Sequence, residues 1–202
     1  MDALDKGACT RILKAYPRQP VDMQEVLYLL LKKVLDEGVE AVDVPSLISL
    51  SLCPYPVMGE LGMKTLAIIA DPSRSIAVDA QFENHVAFLV GALKSTKSGR
   101  VYRNSAAACV ANLALRDSLR PHIIFTGGIE TLVGMIKDPD NVEGQRLAAK
   151  ALVNLTATNR RNYIGETRLR IIAELSEEVR SMYRGELDSL VGTYLQVLVQ
   201  GR

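Results

Sequence analysis

The sequence contains no tryptophan, and aromatic residues make up only 5% of its 202 residues. Its apolar residues, 48% of the chain, are therefore mostly Ala, Leu, Val and Ile, which favours close-packed helices over a strand-rich sandwich. Charged residues make up 23%, which is typical of a soluble globular protein and excludes a disordered chain. We therefore predict a folded, helical protein.

Long hydrophobic runs are also absent. The apolar stretch Val26–Leu31 is far shorter than the ~20 residues that span a bilayer. The N-terminal residues carry two aspartates and no apolar segment of the kind found in secretory signals. Three cysteines, Cys9, Cys53 and Cys109, are an odd number at wide spacings, which indicates buried thiols rather than a disulfide framework. We expect an intracellular protein in a reducing compartment, the cytoplasm first and an organelle second.

Groups that could carry out chemistry are few. The two histidines, His85 and His122, lie far apart in the sequence, with no Cys or carboxylate at the spacing of a zinc site. They also leave no legible Ser/His/Asp constellation. The glycine pair Gly127-Gly128 lacks the spacing and the preceding strand of a phosphate-binding loop. We therefore expect no enzyme, no cofactor and no metal.

One pattern occurs twice in the chain. When residues 104–115 are aligned with residues 146–157, Ala106-Ala107 falls on Ala148-Ala149 and Asn112 falls on Asn154. The distance between the two copies is the period of the repeat. A period within about 20–50 residues is typical of stacked repeat units. We expect Ala107 and Ala149 to be buried where helices of neighbouring units pack closely.

Each unit is divided by polar and glycine-rich breaks. The second unit is predicted to contain a short helix over Pro121–Phe125, a helix over Ile129–Lys137, and a third helix from about Val142 to Ala157. The glycine pair between the first two helices allows a sharp angle, because the residue after the first helix must often adopt a positive φ.

The repeat pattern weakens toward both ends, although we interpret residues 1–202 as one domain. Leu66–Ala70 is interpreted as part of an earlier third helix, with Ala70 placed one full period before Asn112. The other predicted segments are a helix over Val21–Glu37, a short helix over Pro45–Leu52, a helical segment around Ile171–Leu175, and a final helix over Glu186–Gln200.

The motif Ala-Ala-x-x-x-x-Asn-Leu, followed by Arg or Asn-Arg-Arg and by Gly-Gly-Ile-x-x-Leu-Val, resembles the armadillo repeat family over residues 83–175. The resemblance implies an all-α, right-handed α-solenoid of about three to four three-helix repeats with atypical N- and C-terminal capping helices. It also implies a concave groove, lined by third helices, that binds extended peptides without catalysis.

In relatives that bind nuclear localisation signals, a third-helix Asn binds the peptide backbone and a Trp four residues earlier walls the side-chain pockets. Asn112 and Asn154 match the Asn position, whereas Ala108 and Lys150 stand at the Trp position. The resemblance therefore disfavours a receptor of that type and is closer to catenin-type repeats, whose grooves are basic.

Basic residues are concentrated in the repeats. Residues 91–170 carry 13 Lys and Arg against 6 Asp and Glu. The candidate peptide-binding residues are Asn112 and Asn154 for the peptide backbone, and Arg103, Arg116, Lys150, Arg160 and Arg161 for acidic side chains. Two alternatives stay open: the asparagines bind the backbone of a neighbouring repeat, or the basic residues form only a solvated helix face.

These observations support several function classes in a clear order. The first is a non-catalytic scaffold that binds an acidic, extended segment of another protein on its concave face. The alternative is an accessory subunit of a larger assembly, held through its ends and convex face, because a terminal helix of a solenoid exposes apolar surface. Nucleic-acid binding is weaker, since aromatic stacking residues are scarce, and an enzyme comes last.

Overall fold

The computed structural model describes residues 44–73, 79–95 and 99–156. This part of the chain forms eight α-helices and no β-strand, which confirms its predicted helical character. The helices are α1 (Val44–Ser51), α2 (Pro56–Ile69), α3 (Asp79–Glu83), α4 (Val86–Leu93), α5 (Arg100–Leu113), α6 (Arg120–Phe125), α7 (Gly128–Ile136) and α8 (Val142–Thr156). None of these helices has the length and apolar composition needed to cross a membrane. The segments predicted at Val21–Glu37, Ile171–Leu175 and Glu186–Gln200 lie outside the described residues.

The described helices follow the same order of lengths in two successive units. The helices α3, α4 and α5 form a very short, a short and a long helix, and α6, α7 and α8 follow in the same order. The long helices begin at Arg100 and Val142, which are separated by the same distance as Asn112 and Asn154, as the repeat in the sequence predicted. The helices α1 and α2 correspond to the last two helices of such a unit. We therefore call α2, α5 and α8 the third helices.

The first third helix differs from its predicted register. The sequence interpretation placed Ala70 opposite Asn112, but α2 begins at Pro56 and α5 at Arg100, so the residue that corresponds to Asn112 is Ile68. Proline favours the first position of a helix, because its missing N–H and its fixed φ suit that position. Pro56 therefore begins α2.

The glycine pair makes the tight turn between α6 and α7, as predicted. Gly127 has a φ of 78°, in the left-handed region that favours glycine. A side chain at Gly128 would place its Cβ 2.5 Å from the carbonyl oxygen of Ile123. One glycine therefore supplies the backbone conformation, and the other allows α7 to approach α6 closely.

The core runs along the third helices. The helix α5 packs against both α2 and α8, and α4 and α7 cover α5 and α8 from the other side. Ala107 is fully buried and Ala149 retains 8% exposure, which confirms the predicted burial of both. Small side chains at these positions let the helices approach closely, so apolar atoms on both helices leave water together.

A pair of asparagines joins α5 to the start of α8. Asn104 Nδ2 donates to Asn141 Oδ1 at 3.1 Å, and Asn141 Nδ2 donates back to Asn104 Oδ1 at 2.8 Å. Asn141 Oδ1 also accepts the backbone N–H of Gly144 at 3.1 Å, which caps α8. A Cβ at Gly144 would lie 2.2 Å from Asn141 Nδ2, so this contact requires glycine.

Candidate peptide-binding face

The third helices present exposed or half-buried residues at matching positions. In each helix these residues are separated by seven and then four positions, a spacing that keeps them on one side of an α-helix. We call this surface the third-helix face. It consists of Val57, Lys64 and Ile68 in α2, Val101, Ala108 and Asn112 in α5, and Glu143, Lys150 and Asn154 in α8.

Both predicted backbone-binding asparagines lie on this face and make the same contact. Asn112 Nδ2 donates to the carbonyl oxygen of Ala67 in α2 at 3.0 Å, and Asn154 Nδ2 donates to that of Ala111 in α5 at 2.8 Å. Each asparagine therefore binds the backbone of the preceding third helix, one of the alternatives that the sequence left open. A carboxamide has two N–H donors and an acceptor oxygen, so one donor and the oxygen are not used by this contact.

Arg116 does not lie on the third-helix face. Its side chain is 7% exposed and forms an ion pair with Asp79 at the start of α3, and its Nη2 donates to the carbonyl oxygen of Asp71 at 3.2 Å. The sequence prediction assumed that α5 continues through Arg116, one turn beyond Asn112. The helix ends at Leu113, so the helical spacing no longer applies and the arginine turns inward.

Arg103 connects two units. Its Nη2 lies 3.3 Å from Asp138 Oδ2, in the segment that joins α7 to α8, and both side chains are partly buried, at 21% and 28% exposure. Its Nε is buried without a hydrogen-bond partner. The charge of Arg103 is thus partly neutralised by Asp138, and a ligand carboxylate would compete with that contact.

Lys150 is the predicted basic residue that is available to a ligand. It is exposed on α8, one turn before Asn154, and forms no ion pair with another described residue. Arg160 and Arg161 lie outside the described residues.

Three further residues on or beside the face were missed by the sequence interpretation. Lys64 is exposed on α2 at the position that corresponds to Ala108 and Lys150. Ile68 and Leu115 are 42% and 41% exposed. The correct register of α2 would have placed Lys64 and Ile68 on the face. The sequence signal for that register is Pro56, since proline favours the first position of a helix. Leu115 had no comparable signal, since it follows the end of α5.

Thiols and histidines take structural positions in the described residues. Complete burial in α5 raises the pKa of the Cys109 thiol, which agrees with the predicted packed thiol. Burial also raises the pKa of the half-buried Cys53. His122 Nε2 lies 3.2 Å from Glu83 Oε1, a contact between the first helices of the two units. Within the described ranges, no group of His, Cys, Asp and Glu could hold a metal ion.

No protein-family model and no curated protein matches the chain. Among solved structures, the chain is similar to the crystal structure of an engineered protein from a structural genomics consortium, with a TM-score of 0.68 and 23% sequence identity. The match covers 96% of this chain and 78% of the engineered protein. At this identity the likeness concerns the fold alone.

Proposed function

We propose that this protein is a non-catalytic scaffold that binds an extended segment of another protein along the third-helix face. The observation that carries the proposal is the matched pair Asn112 and Asn154. Each carboxamide is held by a carbonyl of the preceding helix, at 3.0 and 2.8 Å, in the same way one unit apart. An extended peptide also presents N–H and C=O groups at a regular spacing, so fixed amides at a regular spacing suit its backbone.

The lysines of the face support an acidic partner, since the acidic residue of the face, Glu143, already forms an ion pair with Arg146. Lys64 and Lys150 occupy corresponding positions in α2 and α8, and only the small side chain of Ala108 stands between them. Both lysines are exposed, and neither is paired with another described residue. Because partly exposed charges are screened over about 8 Å at physiological ionic strength, binding through them should weaken as salt rises.

The proposal includes the fold that the sequence resemblance implies. We propose that the third helices continue their row in an armadillo-type, right-handed α-solenoid, in which the third-helix face is the concave one. The contacts of α5 with both α2 and α8 support this arrangement, because each third helix then buries its sides against its neighbours. An intracellular location in a reducing compartment is part of the same proposal.

A second candidate function is an accessory subunit of a larger assembly. It is favoured by an apolar edge beside the N-terminal ends of the third helices. The edge consists of Leu52, Tyr55 and Val142, which are 66%, 37% and 60% exposed, and adjoins Val57 and Val101 of the third-helix face, which are 60% and 42% exposed. Large exposed apolar patches often mark protein interfaces. Docking through this edge would leave Asn112 and Asn154 without a ligand.

Affinity purification with two variants separates the two functions. The face variant carries Asn112→Ala, Asn154→Ala and Lys150→Glu, and the edge variant carries Leu52→Ser and Val142→Ser. If the scaffold proposal is correct, the face variant loses its partners while the edge variant keeps them. Full retention by a face variant whose circular dichroism matches the wild type refutes the peptide-binding proposal. Loss in the edge variant alone supports the accessory subunit.

A further inference from the structure

Ile68 and Leu115 lie between two polar contacts at the junction of α2 and α5. Asn112 contacts the carbonyl of Ala67 on one side of them, and Arg116 contacts the carbonyl of Asp71 on the other. Ile68 lies between Ala67 and Asp71 in sequence, and Leu115 lies between Asn112 and Arg116. The two polar contacts therefore flank Ile68 on α2 and Leu115 just after α5, each along its own segment of the sequence.

The pair remains open to solvent although each residue is large and apolar. Ile68 is 42% exposed and Leu115 is 41% exposed. An aliphatic side chain that covered both would remove apolar surface from water, which is favourable in proportion to the area covered. The junction of α2 and α5 is thus suited to one aliphatic side chain of a ligand.

The next junction has a different chemistry. At the junction of α5 and α8, the position that corresponds to Ile68 is occupied by Asn112, so the polar carboxamide replaces the apolar surface. Lys150, exposed on α8 one turn before Asn154, adds a positive charge on that side. Lys64 on α2 corresponds to Lys150 on α8, so both ends of the row carry a lysine. At the level of Ile68 and Asn112, one turn further along, the face changes from apolar to polar along the row.

The distance between packed helices predicts how far apart along a bound segment two recognised side chains lie. Packed helices lie about 8–10 Å apart, and an extended chain advances about 3.3 Å per residue. The distance from the α2–α5 junction to α8 is about one and a half helix spacings, which an extended segment covers in about four residues.

We infer that the bound segment carries an aliphatic side chain over Ile68 and Leu115 and a carboxylate about four residues away, opposite Lys150. This inference rests on the proposed function and specifies the chemistry of the segment. Ile68 and Leu115 select the aliphatic residue, Lys150 selects the acidic residue, and the asparagines bind the backbone between them.

Selection from a displayed library of random dodecapeptides tests the inference on the full chain. Peptides selected by the wild type should share an aliphatic residue and an Asp or Glu about four positions apart. Selection on Ile68→Ser should lose the aliphatic preference and keep the acidic one. Selection on Lys150→Ala should keep the aliphatic preference and lose the acidic residue at that spacing, although Lys64 remains. Leu52→Ser is the matched control, because it removes an exposed leucine outside the face and should leave both preferences unchanged.

Binding of a selected, fluorescein-labelled peptide gives the magnitude. Replacing its aliphatic residue by Ser should weaken binding to the wild type by about tenfold or more, as expected for burying one aliphatic side chain, and should have much less effect on Ile68→Ser. A wild-type consensus without an aliphatic residue, or an Ile68→Ser consensus equal to that of the wild type, overturns the inference.

The asparagine variants distinguish failure of the inference from failure of the proposed function. Peptides without a shared side-chain pattern, whose binding is lost in Asn112→Ala and Asn154→Ala, support the scaffold and overturn the inference. An aliphatic consensus that depends on Ile68 but survives both asparagine substitutions supports the apolar junction and overturns backbone recognition. The absence of any enriched peptide overturns both.

Discussion

Arg116 and Asp79 form an ion pair that ties the segment after α5 to the start of α3 in the same unit. Arg116 also reaches the carbonyl of Asp71, just beyond α2, so one side chain joins two successive units. Because the side chains of Arg116 and Asp79 are only 7% and 22% exposed, removal of the arginine leaves a partly buried carboxylate without its partner.

Arg116→Ala should therefore lower the free energy of unfolding by about 2–3 kcal/mol, below the range for fully buried pairs because Asp79 retains 22% exposure. Arg146→Ala is the control. It removes an ion pair with Glu143 in which both side chains are more than half exposed, and it should change stability by no more than about 0.5 kcal/mol. Urea denaturation measures both, and equal midpoints for the two variants would contradict the structural role of Arg116.

The close packing of the third helices makes a second prediction. Ala149→Leu should destabilise the protein by about 1–3 kcal/mol, since Ala149 is 8% exposed and the added atoms would overpack the core. The same change at the next residue, Lys150→Leu, lies on an exposed position and should stay within about 0.5 kcal/mol of the wild type. Equal urea midpoints for Ala149→Leu and Lys150→Leu would show that Ala149 does not lie in a closely packed interface between helices.

Two glycines of α7 should respond to alanine with opposite signs. A Cβ at Gly134 would meet no atom within 4 Å, so Gly134→Ala should stabilise the exposed helix position by about 0.4–1 kcal/mol. Gly128→Ala would place its Cβ 2.5 Å from the Ile123 carbonyl and should destabilise by about 1–3 kcal/mol. Thermal unfolding followed by circular dichroism measures both shifts. A rise in melting temperature for Gly128→Ala would refute the tight turn.

The buried thiol of Cys109 predicts a pH dependence. Burial raises the pKa of Cys109 in the folded state, so its contribution to stability is complete below the ordinary thiol pKa of 9.0 and is lost as the pH rises above it. Above that pH the unfolded state releases this proton while the folded state keeps it, which lowers stability by about 1.4 kcal/mol per pH unit.

Cys109→Ala is the matched variant for that prediction, because the corresponding residue of α8 is the buried Ala151. Its urea midpoint should fall less steeply than that of the wild type as the pH rises above 9.0. Parallel pH profiles would show that Cys109 does not remain protonated in the folded protein.

The repeat period and the turn between α6 and α7 were predictable from local sequence signals. The Ala-Ala and Asn-Leu pairs recur at a fixed distance, and a glycine pair has few alternatives to a tight turn. These signals depend on a few adjacent residues, so the predicted helices of the second unit differ from α6, α7 and α8 by only one residue at either end.

The candidate site was predicted less completely, for two physical reasons. The register of α2 depends on the length of the loop before it, which no periodicity reports, so Ala70 was placed where Ile68 lies. The direction of the Arg116 side chain depends on a carboxylate far earlier in the chain, at Asp79. A helical spacing rule describes neighbours within a helix and contains no information on such distant partners.

The segments that join the second and third helices of each unit differ in length although the third helices remain in one row. Four residues separate α1 from α2, six separate α4 from α5, and five separate α7 from α8. Despite these differences, Asn112 and Asn154 make the same contact with the preceding third helix. A purification tag or a reporter domain would therefore be best inserted among the exposed residues of such a segment, away from Asp138 and Asn141, which contact Arg103 and Asn104 of α5.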